Sequence, residues 1–202
     1  MLNLIIVITI SYLIGAIPFS FIFSKLFTGI DPRKAGSGNV GATNVLVSTG
    51  KRRTAILSVF FDIVKGFAVV IFAKIFFGAD IYIYLAAFFA IVGHDFPVYL
   101  NFKGGKGVAT TTGVLIAINP FAIWFCVIAY IISISITRYV ILSSLISIAI
   151  IPFILWMLGD GILGVLFGIL CFTLALYVHK EDIERLISGS ERKLSDAIKT
   201  VN

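Results

Sequence analysis

Two glycine-rich segments carry the residue types that bind phosphate. The first combines three glycines, which let backbone N–H groups converge, with four neutral polar side chains. Its residues are Gly36, Ser37, Gly38, Asn39, Gly41, Thr43 and Asn44. Successive N–H groups that point into one concavity form a nest for an oxyanion. The other interpretation, a flexible connector made of turn-forming residues, stays open for this segment taken alone.

The second segment alternates lysines with glycines directly before an apolar run that predicts a helix. Its residues are Lys103, Gly104, Gly105, Lys106 and Gly107. A helix N-terminus offers unpaired N–H groups and the positive end of the helix dipole, and lysine adds a full charge. Phosphate is therefore the expected ligand. The spacing differs from that of a Walker P-loop, and no βαβ unit surrounds it.

Three ionisable residues near these segments are further candidates. His94 is either a proton-transfer or phosphate-binding group, or a structural histidine at a helix end. Asp62 and Lys65 lie three positions apart in an apolar run, so a helix places them on one face where they can pair. Such an intramembrane pair is either part of a site or a buried structural bridge.

The elements that must position these residues are membrane helices. Apolar residues make up 59% of the 202 residues and charged residues only 13%, against a usual charged share of about 25%. This composition excludes a soluble domain, a disordered chain, collagen and a secreted disulfide scaffold. Cys126 and Cys171 lie inside apolar runs, where cysteine is typically a small packing residue.

We predict an all-α integral membrane protein with seven transmembrane helices in a single domain over residues 1–202. The predicted spans cover about 2–24, 54–77, 81–99, 104–118, 120–136, 140–158 and 161–178. Asn119-Pro120 is interpreted as a turn, because one helix over 108–136 would be about 43 Å long. The apolar cores of the third and fourth spans are short, which predicts that the second glycine segment lies partly at membrane depth.

The basic residues predict the orientation. With seven spans, all the lysines and arginines except Lys65 and Lys74 lie on one side, which the positive-inside rule makes cytoplasmic. The N-terminus is then outside and the C-terminus cytoplasmic. Six spans would place Arg138 and the basic C-terminus outside, against that rule. Because the basic residues flank membrane spans, they give no support for nucleic acid binding.

These motifs together resemble the bacterial membrane glycerol-3-phosphate acyltransferase family, PlsY. The resemblance rests on the first glycine segment, on Asp62-x-x-Lys65-Gly66, on Gly93-His94 with Phe102–Thr110, and on the region from His179 to Glu191. It covers the whole chain, and Phe102–Thr110 is its most specific part. It implies transfer of a fatty acyl group from acyl phosphate to the 1-hydroxyl of glycerol 3-phosphate. The products are lysophosphatidic acid and phosphate, formed for phospholipid biosynthesis at the cytoplasmic face of the bacterial plasma (inner) membrane.

The resemblance also implies roles for individual residues. Ser37, His94 and Lys106 are the expected catalytic residues. The expected substrate and phosphate ligands are Gly36, Gly38, Asn39, Gly41, Thr43, Asn44, Lys103, Gly104, Gly105, Gly107, His179 and Asp182. We expect direct attack by the glycerol hydroxyl, with Ser37 as a nucleophile the competing hypothesis. Neither a metal nor a cofactor is implied; membrane lipid and the acyl-phosphate-forming enzyme are candidate partners.

Two motifs depart from the family pattern. Val47 occupies a position where the family usually has arginine, and the third motif reads Val178-His179-Lys180-Glu181-Asp182 where the family usually has Arg-His-x-x-Asn. Losing an arginine and gaining a carboxylate predict weaker phosphate binding. Two alternatives stay open: a membrane transporter for an anion or phosphate ester, and a non-catalytic lipid-binding paralogue.

Overall fold

The computed structural model describes residues 1–193, which are helical almost throughout. The α-helices are α1 Leu2–Gly15, α2 Phe19–Thr28, α3 Ala42–Thr49, α4 Arg52–Phe76, α5 Asp80–Asp95, α6 Val108–Ile118, α7 Pro120–Thr137, α8 Val140–Ala149, α9 Ile151–Met157, α10 Gly161–Val178 and α11 Lys180–Ile187. Short 3₁₀ turns occupy Pro32–Lys34 and Val98–Leu100. The predicted all-α architecture is confirmed.

Six helical segments in the described residues are long and apolar enough to cross a membrane. They are Leu2–Thr28, Arg52–Phe76, Asp80–Leu100, Pro120–Thr137, Val140–Met157 and Gly161–Val178. The helix α6 is also apolar, but its 11 residues extend only about 16 Å. The predicted span over 104–118 is therefore shorter than expected, because the helix begins only at Val108.

Prolines divide two of the predicted spans. The span predicted over 2–24 consists of α1 and α2, which are separated around Pro18 and continue to Thr28. The span predicted over 140–158 divides into α8 and α9, with Pro152 in the first turn of α9. Proline has no N–H and its ring collides with the preceding turn, so a helix breaks or kinks there. Each pair of helices still forms one candidate span, over Leu2–Thr28 and Val140–Met157.

The predicted turn at Asn119-Pro120 is confirmed. The α6 helix ends at Ile118, and α7 begins at Pro120, whose missing N–H costs nothing at a first helical position. The Asn119 side chain caps α7 by accepting a hydrogen bond from the Phe121 N–H at 3.2 Å.

The chain forms two compact units, and the first comprises residues 1–118. Within it α4 packs against α6, and α1 packs against α5. Glycine permits both contacts. A Cβ at Gly66 would lie 2.5 Å from the Thr110 carbonyl oxygen, and a Cβ at Gly93 would lie 2.8 Å from the Ala16 nitrogen. Small residues let helix backbones approach closely, which is the usual source of packing energy between membrane helices.

Lys74 fixes the C-terminal end of α6 against α4. Its Nζ donates to the carbonyl oxygens of Ala117 and Ile118 at 2.6 and 3.2 Å. The last carbonyls of a helix have no partner within the helix, and a cation there is favourable. The short α6 helix therefore ends beside the C-terminal turn of the long α4 helix.

The second unit begins at Asn119 and contains α7 to α11. Phe167, Ile151 and Leu155 are buried in its core. Polar contacts join its elements: the Ser147 hydroxyl donates to the Cys126 carbonyl at 2.8 Å, and the Asn119 amide donates to the Asp160 carboxylate at 2.8 Å.

Candidate active site

Asn44 organises the first glycine segment from within. Its side chain is 4% exposed, and its Oδ1 accepts the Ser37 N–H at 2.8 Å. Its Nδ2 donates to the carbonyl oxygens of Pro32, Ala35 and Asn39 at 2.8, 3.1 and 2.8 Å. Because the amide nitrogen is fully engaged by the backbone, Asn44 holds the segment in shape. The contact with substrate that the resemblance implies for Asn44 stays a prediction.

Two backbone positions show why glycine is needed in this segment. Gly36 and Gly38 have φ values of 62° and 76°, which L-residues with side chains rarely adopt. A Cβ at Gly36 would collide with the Asn44 Oδ1. Ser37 and Thr43 remain exposed at the surface of the segment, and Asn39 is half-buried. These neutral side chains are thus in reach of a bound molecule.

A local ion pair anchors the chain where it enters this segment. Asp31 accepts hydrogen bonds from the Arg33 N–H at 3.0 Å and from the Arg33 guanidinium at 3.1 and 2.8 Å. The Arg33 guanidinium also lies over the Phe21 ring, 4.8 Å from its centroid. Hydrogen bonding to Arg33 lowers the pKa of the Asp31 carboxyl to about 2. The pair thus stays ionised under ordinary conditions and holds the segment close to α2.

The second glycine segment folds back onto the end of α5. The Gly104 N–H donates to the Asp95 carbonyl at 3.2 Å, and the Gly105 N–H donates to the His94 carbonyl at 3.1 Å. These two N–H groups were expected to hold phosphate, but both are engaged by the backbone. The two glycines instead allow a close approach, since a Cβ at either position would collide with His94.

The backbone N–H groups that have no partner within a helix lie just beyond Gly105, at the start of α6. Gly107 has a φ of 70°, and the first helical hydrogen bond runs from the Thr111 N–H to the Gly107 carbonyl at 2.7 Å. The N–H groups of residues 108–110 precede that bond and form the N-terminus of the helix. Half-buried Lys106 lies directly before it. This end of α6 is the better candidate for an anion site.

The structure brings the two glycine segments together. The Val40 N–H, in the first segment, donates to the Gly104 carbonyl in the second at 3.2 Å. Residues that are far apart in the sequence therefore form one continuous surface. It contains exposed Ser37 and Lys103 as well as half-buried Lys106.

A buried ionic cluster lies beneath the second segment. The Asp62 carboxylate and the Lys65 ammonium are 2.7 Å apart, and each residue is less than 5% exposed. The Lys65 Nζ also lies 3.0 Å from the His94 Nδ1 and donates to the Ile17 carbonyl at 2.8 Å. The Asp62–Lys65 pair is therefore joined to His94, which the sequence alone did not predict.

Sequence reasoning missed two members of this cluster. The Ser20 hydroxyl donates to the Asp62 Oδ2 at 3.4 Å, and the Ile17 carbonyl accepts from Lys65. Both flank Pro18, which interrupts the helix and leaves backbone carbonyls available for other partners. The signal in the sequence for this place is a proline inside an apolar run, which the sequence analysis did not use.

His179 and Asp182 belong to the second unit. His179 is 2% exposed, and its Nδ1 lies 2.8 Å from the Ala175 carbonyl. Asp182 is ion-paired with Arg185, which also donates to the Glu191 carboxylate at 2.9 Å. The negative charge of Asp182 is thus compensated locally by Arg185. Among residues 1–193, no group of three or more His, Cys, Asp or Glu side chains could hold a metal ion.

Comparisons with known proteins point to one family. The family model for glycerol-3-phosphate acyltransferase matches residues 5–189. A glycerol-3-phosphate acyltransferase from Rhodopseudomonas palustris (strain HaA2) is 44% identical over 188 residues, which is 93% of each chain. One from Clostridioides difficile (strain 630) is 37% identical over 195 residues, covering 94% of this chain and 95% of the other.

Solved structures with the same fold are of PlsY, an integral membrane glycerol 3-phosphate acyltransferase. Its glycerol 3-phosphate form matches with a TM-score of 0.87 and 34% identity over 94% of each chain. Its lysophosphatidic acid form matches with a TM-score of 0.87 and 33% identity, over 96% of this chain and 98% of the other. This chain is accordingly an all-helical integral membrane protein that belongs to the glycerol-3-phosphate acyltransferase family.

Proposed function

We propose that this protein transfers a fatty acyl group from acyl phosphate to the 1-hydroxyl of glycerol 3-phosphate, forming lysophosphatidic acid and inorganic phosphate. The observation that carries the proposal is the hydrogen bond between Val40 and Gly104, which joins the two glycine segments into one surface. Both substrates carry a phosphate, so a surface built from two such segments meets the demand of the reaction. The PlsY forms described above support glycerol 3-phosphate as acceptor and lysophosphatidic acid as product.

The reaction requires that the protein position the two substrates and stabilise the negative charge of the leaving phosphate. The glycerol hydroxyl oxygen attacks the acyl carbonyl carbon, the bond from that carbon to the phosphate oxygen breaks, and phosphate leaves with the electron pair. Lys106 and the N-terminus of α6 stabilise the leaving phosphate, while Ser37, Asn39 and Thr43 bind substrate oxygens. The hydroxyl proton passes to His94 or to the phosphate of glycerol 3-phosphate itself. No acyl-enzyme on Ser37 is needed, because phosphate is already a good leaving group.

We also propose a seven-span topology for a single domain, with the N-terminus outside and this surface on the cytoplasmic side of the bacterial inner membrane. The contact of Lys74 with the last carbonyls of α6 supports the seventh crossing, because it ends α6 level with the C-terminal turn of α4. The short α6 helix and the glycine segment before it then cross the membrane together. The orientation in the membrane follows from the positive-inside rule, which places the side rich in lysine and arginine in the cytoplasm.

A donor comparison tests the proposed reaction. The detergent-purified protein is incubated with glycerol 3-phosphate and either acyl phosphate or acyl-coenzyme A of the same chain length. We expect lysophosphatidic acid with acyl phosphate only. Product from acyl-coenzyme A alone would overturn the donor assignment, and no product from either would favour the transporter or the non-catalytic paralogue.

A further inference from the structure

A cavity lies between the C-terminal end of α2 and the N-terminal end of α4, where two candidate membrane spans end. Its volume is about 730 Å³, and its lining includes Phe27, Lys51, Arg52, Arg53, Thr54 and Leu57. None of these residues belongs to either glycine segment. We propose that the cavity binds one anionic phospholipid, with the headgroup phosphate at the basic residues and an acyl chain along the apolar ones. This lipid is a bound ligand and not a substrate, so the inference goes beyond the proposed function.

Three consecutive basic residues form the polar side of the cavity. Lys51, Arg52 and Arg53 are all exposed, and none of their side chains forms an ion pair or a hydrogen bond with any residue in the described range 1–193. Arginine offers paired donors that match phosphate oxygens, and basic residues at the end of a membrane helix attract anionic headgroups. The positive-inside rule explains basic residues on this side of the membrane, but not their position around a cavity.

A buried hydroxyl group at the same cavity has no partner in the protein. Thr54 lines the cavity and is only 3% exposed. Its carbonyl oxygen accepts from the Ser58 hydroxyl at 2.9 Å, whereas its own hydroxyl makes no hydrogen bond to any of residues 1–193. A buried polar group without a partner is unfavourable, and an acceptor oxygen of a bound ligand would satisfy it. This hydroxyl therefore indicates a ligand that carries oxygen acceptors, such as a phosphate.

The apolar side of the cavity continues as a row of phenylalanine rings on α2 and α4. Phe27 and Leu57 are 53% and 37% exposed. The centroid of the Phe23 ring lies 5.8 Å from that of Phe27 and 5.1 Å from that of Phe61. These residues belong to two candidate membrane spans, so the row leads from the headgroup level into the hydrocarbon. An acyl chain covers this surface and a free phosphate ion does not, which favours a lipid as the ligand.

Native mass spectrometry of the delipidated full chain in detergent tests the proposal. The protein is titrated with phosphatidylglycerol, which is anionic, or with phosphatidylcholine, which is zwitterionic. We expect one molecule of phosphatidylglycerol to bind in preference to phosphatidylcholine. The variant Lys51→Gln/Arg52→Gln/Arg53→Gln should bind phosphatidylglycerol at least about tenfold more weakly, because charge-assisted contacts with the phosphate are lost. No preference for the anionic lipid in the wild type would overturn the proposal.

A second triple variant controls for the loss of net charge. Arg138→Gln/Arg192→Gln/Lys193→Gln also removes three exposed basic residues, none of which lines the cavity. We expect this variant to keep the wild-type affinity for phosphatidylglycerol. Equal weakening in the two triple variants would show a general attraction of charge and would refute a site at the cavity.

The variant Thr54→Val tests the geometry of the site without changing any charge. It keeps the shape of the side chain and removes only the hydroxyl, so thermal unfolding without lipid should be unchanged, while phosphatidylglycerol should bind about tenfold more weakly. Inorganic phosphate at the same concentration as the lipid should not displace it. Unchanged lipid binding by Thr54→Val would refute the site, and displacement by phosphate would refute the lipid as its ligand. Both results are independent of acyltransferase activity.

Discussion

At the level of single residues, the candidate site depends on side chains that hold other groups in place. Asn44 binds four backbone groups of its own segment, and the Lys65 Nζ lies 3.0 Å from the His94 Nδ1. Lys106 differs from both, because it lies beside the N-terminus of α6 where an anion is expected. Substitution of each type of residue should therefore have a different consequence.

Lys106→Ala should weaken binding of the phosphate-bearing substrates. A charge-assisted hydrogen bond contributes about 1.5–3 kcal/mol, which corresponds to about tenfold to a hundredfold in affinity. Initial rates with each substrate varied in turn measure the effect. Lys74→Met is the matched control, because the Lys74 side chain extends from α4 to the C-terminal end of α6, opposite the end that Lys106 precedes. This variant should lower thermal stability with little change in KM. Full acyl transfer by Lys106→Ala would contradict the assignment of the anion site.

The departures from the family pattern give a second prediction. Val47→Arg should raise the apparent affinity for a phosphate-bearing substrate, since a guanidinium offers paired donors to phosphate oxygens. Asp182→Asn should act in the same direction by removing a negative charge, but more weakly, because Arg185 already compensates Asp182. Steady-state kinetics on both variants measures these changes. Unchanged or weaker affinity in both would show that the site uses a different geometry at these positions.

At the level of the elements, the close contact between α4 and α6 holds in place the surface that the two glycine segments form. Gly66 lies where the two backbones meet, one residue after Lys65 and against Thr110. This contact fixes α6 and hence the donors at its N-terminus. It also keeps the buried cluster on α4 beneath the second glycine segment. The same glycine therefore contributes to stability and to the geometry of the site.

Gly66→Ala should destabilise the protein and lower its activity. The new Cβ would lie 2.5 Å from the Thr110 carbonyl oxygen, so α6 must move away, and strain of this kind typically costs about 1–3 kcal/mol. Val64→Ala on the exposed side of α4 is the control, since Val64 is 39% exposed. Thermal unfolding in detergent, followed for both variants, should show a clear loss for Gly66→Ala only. Equal behaviour would mean that the helices are less tightly packed than the structure indicates.

The elements also show what could be predicted from the sequence. Apolar run lengths located the helices, and Asn119-Pro120 located a turn, because both depend on local chemistry. The helix breaks at Pro18 and Pro152 were missed, since proline is also tolerated inside membrane helices when other groups satisfy the backbone. Residue types located the two glycine segments, but not the hydrogen bond between Val40 and Gly104 that joins them. Such contacts depend on tertiary packing, which spacing along the chain does not encode.

At the level of the whole molecule, orientation decides which compartment supplies the substrates. The proposed topology places exposed Arg138 in the cytoplasm and Ala79 outside. In a background where Cys126 and Cys171 are serine, we expect an impermeant thiol reagent added to intact cells to label Ala79→Cys but not Arg138→Cys. Labelling of Arg138→Cys from outside would contradict the seven-span topology.

The measurement that tests the central claim most directly is the stoichiometry of a single reaction mixture. Detergent-purified protein is supplied with acyl phosphate and glycerol 3-phosphate, and lysophosphatidic acid and inorganic phosphate are quantified together over time. We predict that both appear at equal initial rates, that neither appears above background without protein, and that Lys106→Ala slows both alike. Release of phosphate without lysophosphatidic acid, or the absence of both products from folded protein, would contradict the proposal that this chain is an acyl-phosphate-dependent acyltransferase.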